Sequence, residues 1–305
     1  MTDHHSHDHA GTSTKRLAWA LGVTATILVV ELVGAWISGS LALLADAGHM
    51  LVDSSGLVIA LIAAHLIGRP RSSKRTWGFV RAEVLAAALQ ALLLLAICIT
   101  ILWEAFHRLS DPVLVESTPM LIIGIVGLVA NLISLVILSG GRNESLNMKA
   151  AFLEVSTDAL GSVAVIVAAV ILMTTGWPYA DSAASLLIAA LIIPRSVRLL
   201  SESASILMGN TPSDLDLDQV QEHLLQQPEI AEVHDLHAST IGTGLVALTT
   251  HVVLRDDMAN MPGAEQAALL QHIQKCVKEH FPDQIHHLTV QIDPPATECE
   301  EVLAH

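Results

Sequence analysis

Six apolar runs, each long enough to cross a lipid bilayer, fix what this chain can fold into. A helix needs about 20 apolar residues to span the hydrocarbon. Runs at roughly 17–38, 41–67, 81–107, 118–138, 151–174 and 179–199 reach that length. In lipid every backbone amide must bond within its own segment, so each run is expected to be a helix. Only 15% of the 305 residues are charged, well below the quarter or so of a soluble domain. Two connections, Ser38-Gly39-Ser40 and Thr175-Gly176-Trp177-Pro178, are short enough to force antiparallel neighbours. The first run is too long for a cleaved leader and passes at once into the second, so it is expected to be a true span.

Loop charges orient the bundle. Lys15 and Arg16 precede the first span. Arg69, Arg71, Lys74, Arg75 and Arg81 cluster between the second and third. Arg142 and Lys149 lie between the fourth and fifth, and Arg195 and Arg198 follow the start of the sixth. The other three loops are nearly free of Lys and Arg, Arg108 excepted. By the positive-inside rule both termini are cytoplasmic. The net charge of −15 comes mostly from acid after about residue 200, and the absence of a basic patch excludes a nucleic-acid partner. Cys98, Cys276 and Cys299 form no CxxC pair and argue against a disulfide framework. Cys98 reads as packing.

From about Gly209 the pattern changes. Thr211-Pro212-Ser213-Asp214 is a helix start, followed by an amphipathic stretch to Leu225. Val233–Thr240 and Leu245–Leu254 are expected as strands around Gly242-Thr243-Gly244, Pro262–Phe281 as a helix, and Leu288–Ile292 as a last strand. The expected organisation is a His-rich cytosolic tail (1–15), an all-α six-helix transmembrane domain (16–208), and a cytosolic two-layer α+β domain of order αββαβ (209–305).

Ionisable groups at membrane depth are costly and mark function. His49-x-x-x-Asp53 and Glu154-x-x-x-Asp158 lie inside the second and fifth runs. Residues four apart share one helical face, so each pair presents two metal-capable side chains together. One imidazole and three carboxylates suit a borderline divalent ion such as zinc, cobalt or cadmium. Protons compete for the same atoms, because ligands must be deprotonated to bind. That competition supplies a basis for metal–proton antiport without a nucleotide, and no phosphate-loop motif occurs. Asp46 can line the same cavity, while Gly161 and Ser162 permit close helix approach. Glu31 and Asn131 are candidates for an access path. His65, Glu104 and His107 read as interfacial, and Asp181 as a helix-start residue of the sixth span rather than a ligand.

Several motifs resemble those of the cation diffusion facilitator family, over nearly the whole chain and most closely in its bacterial cobalt–zinc–cadmium efflux branch. They are Ser40-Leu41-Ala42-Leu43-Leu44-Ala45-Asp46-Ala47-Gly48-His49-Met50, Thr76-Trp77-Gly78-Phe79-Val80-Arg81-Ala82-Glu83, Asp158-Ala159-Leu160-Gly161-Ser162 and His234-Asp235-Leu236-His237. The resemblance implies a homodimer in the bacterial inner membrane with a metallochaperone-like cytosolic domain. It implies efflux of divalent metal, zinc first, in exchange for protons. His49, Asp53 and Asp158 match the family's transport ligands. Glu154 stands where its zinc transporters commonly carry His, and a carboxylate is a harder ligand.

The same resemblance assigns His234, His251 and Asp293 to a regulatory metal site at the dimer interface. His234 and His251 fall on the two hairpin strands and Asp293 ends the third. Gln291 replaces a His of some relatives, leaving His237 or Cys299 as substitutes. His272 and His280 read as solvent-facing. The tract His4-His5-Ser6-His7-Asp8-His9 is a weak metal binder. Trp77, with Lys74 and Arg75, suits a headgroup anchor, to which the resemblance adds a dimer contact. Two other classes compete. An intramembrane metalloenzyme would need a base beside an open metal position, and His-Glu-x-x-His is absent, so the chain is not expected to be an enzyme. A membrane metal sensor or non-transporting scaffold would leave four costly ligands unused.

Overall fold

The computed structural model describes residues 22, 25–139, 146–242, 244–258, 261–282 and 284–293. The histidine tract and Cys299 lie outside the described residues, and of Glu154 only the helical backbone is described.

Six helices come first: α1 (Ala25–Ser38), α2 (Leu41–Ile67), α3 (Arg81–Ser110), α4 (Ser117–Ser139), α5 (Leu146–Thr175) and α6 (Ala180–Leu207). Among the described residues four of them, α3 to α6, are long and apolar enough to cross a membrane. Helix α2 has the length, at 27 residues, and carries Asp46, His49 and Asp53 in an otherwise mainly apolar run. The helices pack on Leu41, Leu43, Leu94, Cys98, Met120, Val165 and Ile188, while large apolar side chains face outward, Trp103 at 77% and Val136 at 74% exposure. Such a surface is stable where the surroundings are themselves apolar.

The two short links have the expected places. Gly39 ends α1 with φ +68° and Gly176 ends α5 with φ +68°. The amide N–H groups donate to the carbonyls of Ala35 and Leu172, at 2.9 and 3.0 Å. This left-handed helix end favours glycine. Asp181 stands in the first turn of α6, as expected. Its carboxylate reaches further and accepts from Ser40 Oγ (2.5 Å), Leu41 N (2.7 Å) and Ala42 N (3.2 Å). It therefore caps α2, a helix 140 residues earlier in the chain. Arg108 Nη1 lies 3.5 Å from the same carboxylate and donates to the Gly39 carbonyl at 2.9 Å.

Compact units divide the chain into residues 1–61 with 87–200, and 62–86 with 201–305. In the second, α7 (Leu217–Leu225) begins on Asp216, whose carboxylate caps the N–H groups of Asp218 and Gln219. Strands β1 (Ile230–Gly242) and β2 (Leu245–Leu254) pair antiparallel, and α8 (Gly263–His280) leads to β3 (His287–Asp293), which runs parallel to β2. The sheet order is β1-β2-β3, giving the expected αββαβ. Alternate residues of β2, namely Val246, Leu248, Thr250, Val252 and Leu254, are buried, with Leu248 and Val252 in one cluster with Val220, Leu224, Ile273 and Val277 of the helices. In the same unit the Trp77 ring stands edge-on to His287, 5.3 Å between centroids.

Candidate metal centres

On α2, Asp46, His49 and Asp53 recur at three- and four-residue steps, a single stripe of the helix. His49 is 4% exposed and Asp46 2%. The Nε2 of His49 lies 3.3 Å from Asp53 Oδ2 and 3.4 Å from Asp158 Oδ1 of α5. Among the described residues neither His49 nitrogen has a hydrogen-bond partner, and Asp158 Oδ1 and Asp46 Oδ2 have none either. A tetrahedral centre with bonds of 2.0–2.1 Å holds its N and O ligands about 3.3 Å apart. Each His49 pair thus stands at ligand-to-ligand spacing, while the three residues do not all gather within 4.8 Å of one another, so a shared cation would draw Asp53 and Asp158 together. Glu154 lies one turn before Asp158 on the same face of α5.

Small residues let the helices close around this group. A Cβ on Gly161 would sit 2.8 Å from Asp46 Oδ1, and one on Gly127 of α4 would sit 2.7 Å from Glu31 Oε1 and 3.3 Å from Ser162 Oγ. Glu31 is buried at 1% exposure, its Oε2 unpartnered among the described residues, and Asn131 Nδ2 donates to Ser162 Oγ at 3.3 Å. Glu31 and Asn131, singled out as access-path candidates, thus line a buried polar layer. The sequence reading missed Gln90 of α3, whose Nε2 donates to Asp53 Oδ1 at 3.4 Å. The signal was present: an amide in the run Ala88-Leu89-Gln90-Ala91.

The tail domain gathers a second group. His234 and His251 pair directly across the β1–β2 ladder, and Asp293 closes the parallel β2–β3 register beside Val253. Asp293 Oδ2 lies 2.9 Å from His251 Nδ1 and 3.3 Å from His234 Nε2, and one ligand atom from each of the three residues falls within 4.8 Å of the others. Burial works to raise the Asp293 carboxyl. Hydrogen bonds from Gln291 and His251 and the adjacent imidazoles outweigh it and hold the group below the usual carboxylate range. Gln291 donates to Asp293 Oδ1 at 2.9 Å, so the residue standing in for a ligand holds the carboxylate instead. His237 is set apart by an irregularity in β1 at Asp235, whose φ is +51°. Its Nε2 meets Asp235 Oδ1 at 2.8 Å.

Buried ligand atoms among spanning helices, with an α+β domain following, define a membrane transporter of cations as the class. Residues 17–208 match the cation efflux transmembrane domain and 212–295 the cation efflux protein cytoplasmic domain. The chain is 42% identical to the metal cation efflux system protein CzcD of Cupriavidus metallidurans, over 99% of this chain and 93% of that protein. It is 39% identical to the zinc transporter ZitB of Escherichia coli, over 95% and 92% of the two chains. It is 36% identical to a cadmium, cobalt and zinc/H(+)-K(+) antiporter of Bacillus velezensis, over 96% and 92%. The chain belongs to the cation efflux family.

Proposed function

We propose that this protein exports divalent transition-metal cations from the cytoplasm in exchange for protons, with zinc as the main cargo and cadmium and cobalt accepted. His49, Asp53, Glu154 and Asp158 bind the cargo. The observation that carries this reading is the His49 Nε2 atom, buried and without a hydrogen-bond partner among the described residues, at 3.3 and 3.4 Å from two carboxylate oxygens. Two carboxylates facing one buried imidazole without hydrogen-bond geometry are costly, and either protons or a cation drawn in among the three residues offsets that cost. When the cation leaves, protons neutralise the carboxylates, which is the coupling. Relative motion of the helices that carry the ligands opens the site to each side in turn.

The protein works as a homodimer in a bacterial inner membrane, both termini cytoplasmic, divided near residue 208 into a bundle and a metal-sensing, dimerising tail domain. The match to the family's cytoplasmic domain and the loop charges support these points. His234, His251 and Asp293 hold regulatory metal there. The protein is read as a transporter and not as an enzyme.

Zinc flux into proteoliposomes under an imposed proton gradient tests the proposal. Wild type should carry zinc, with the flux following the gradient, and Asp53→Ala and Asp158→Ala should fall to background. Gradient-independent wild-type flux would overturn the antiport. Absence of flux for zinc, cadmium and cobalt would favour a membrane metal sensor.

A further inference from the structure

Helices α7 and α8 carry a cluster that the strand-borne group does not include. His223 stands in the last turn of α7. Cys276 and His280 are one turn apart on α8, the same four-residue spacing as His49 and Asp53. The His223 Nε2 atom lies 3.0 Å from Cys276 Sγ, and Cys276 Sγ lies 3.9 Å from His280 Nδ1. The two imidazole rings lie with centroids 4.2 Å apart, their planes tilted by 42°. One ligand atom from each residue lies within 4.8 Å of the other two.

We propose that His223, Cys276 and His280 form a second cytosolic metal site, which binds zinc, cadmium or cobalt through one thiolate and two imidazoles. The fourth position stays open to water.

A Cys–His hydrogen bond accounts for His223 and Cys276, and a bond to the Cys276 carbonyl for His280, but neither brings one ligand atom of all three residues to one place. A metal accounts for all three. Zinc bound at about 2.3 Å to sulfur and 2.0–2.1 Å to nitrogen spaces its ligands about 3.3–3.6 Å apart. The observed separations of 3.0 and 3.9 Å bracket that value. A thiolate with imidazoles selects borderline and soft ions over magnesium or calcium.

The cluster also has a supporting layer. Gln227 Nε2 donates to Cys276 Sγ at 3.7 Å, and Gln227 Oε1 meets His272 Nε2 at 3.1 Å. Outer partners of this kind orient metal ligands. Binding replaces the Cys276 S–H bond by an S–metal bond and releases that proton to solvent. His280 Nδ1 gives up its present contact with the Cys276 carbonyl oxygen, at 3.0 Å.

The site stands independently of the intramembrane centre, and its sulfur gives a readout that neither carboxylate–imidazole group shares. The experiment adds cobalt to the full-length, reduced protein in detergent and records near-ultraviolet sulfur-to-cobalt charge transfer. The expected result is a band saturating at one cobalt-bound thiolate per chain. It should be lost in Cys276→Ser, weakened about tenfold or more in apparent affinity in His223→Gln and His280→Gln, and retained in Cys299→Ser and His251→Ala. No band in wild type, or an unchanged band in Cys276→Ser, overturns the proposal. A second measurement needs no variant. Zinc should slow alkylation of Cys276, followed by mass spectrometry, by about tenfold or more, and an unaltered rate overturns the site.

Discussion

The bundle and the tail domain gather the same two ligand types at different depths. In the bundle His49 is 4% and Asp158 7% exposed. In the tail the side chains of His234 and His251 are 23% and 26% exposed. At the first depth, ligand atoms have no water to turn to and several stand unpartnered among the described residues. At the second, Gln291 already bonds Asp293, and solvent reaches the imidazoles. A deep set of ligands is costly unless a cation or protons occupy it, which suits a cargo that comes and goes. A set whose imidazoles reach solvent and whose buried carboxylate is already bonded by Gln291 is stable empty or filled, which suits a sensor.

The sharpest way to break this comparison is to remove one imidazole from each region. His49→Ala should abolish zinc flux, a loss beyond the roughly 10–100-fold typical of outer-shell partners. His251→Ala should leave flux standing at saturating zinc and shift only the concentration at which it responds. Equal losses would mean that the tail group belongs to the transport path.

The second largest effect concerns structure. Asp181 links α6 to the start of α2 and faces Arg108. Asp181→Ala should destabilise the bundle by about 1–2 kcal/mol, since it removes the cap of α2, while Arg108 keeps Glu104 and the Gly39 carbonyl. Thermal unfolding in detergent reads this. Expected losses confined to α6, with α2 unaffected by hydrogen exchange, would confine its role to the start of α6.

Asp181 also shows what a sequence conveys and what it withholds. Helix periodicity and i,i+4 spacing are local, so the six helices and the contact between His49 and Asp53 were legible. The tail order αββαβ was legible for the same reason, with β1 two or three residues short at its ends, β2 matching and β3 one residue short at each end. The neighbour relation of His234 and His251 followed from the hairpin. Long-range relations did not follow. The Asp181 carboxylate reaches a helix 140 positions away, Gln90 reaches Asp53 from a third helix, and Asp293 meets His251 only through a parallel register set by the intervening helix. His280 was read as solvent-facing because one helix alone shows exposure. It is exposed, and its ring also lies against that of His223 on another helix.

A smaller effect is expected on selectivity. Glu154→His would make the deep centre resemble the tail group in imidazole content. Competition among zinc, cadmium and cobalt for transport should move toward zinc by a several-fold change. Unaltered ratios would remove position 154 from metal choice and leave depth as the main difference between the two centres.

The smallest effect lies in the tail and depends on pH. Burial pushes the His223 imidazole below its ordinary 6.5, and the neighbouring His280 adds to the shift. The groups facing it are Cys276 and His280 of α8 and, just beyond that helix, the apolar ring of Phe281, none of them a carboxylate. A lowered histidine is neutral in the fold at a pH where the unfolded chain already binds a proton. Stability from this group is therefore full above about pH 6.5 and falls as the pH drops toward the folded value. Asp293 is also lowered, but from a carboxylate's range, so its contribution survives this window and is lost only in stronger acid. Hydrogen exchange at β2 amides of the full-length protein, corrected for intrinsic rates, should show more frequent opening at about pH 5.5 than at pH 7.5. His223→Asn should flatten that difference while leaving α4 unchanged in both proteins. A pH response equally strong in the variant would assign the acid sensitivity to the sheet-borne group, and the two clusters of the tail would then differ in ligands but not in their answer to protons.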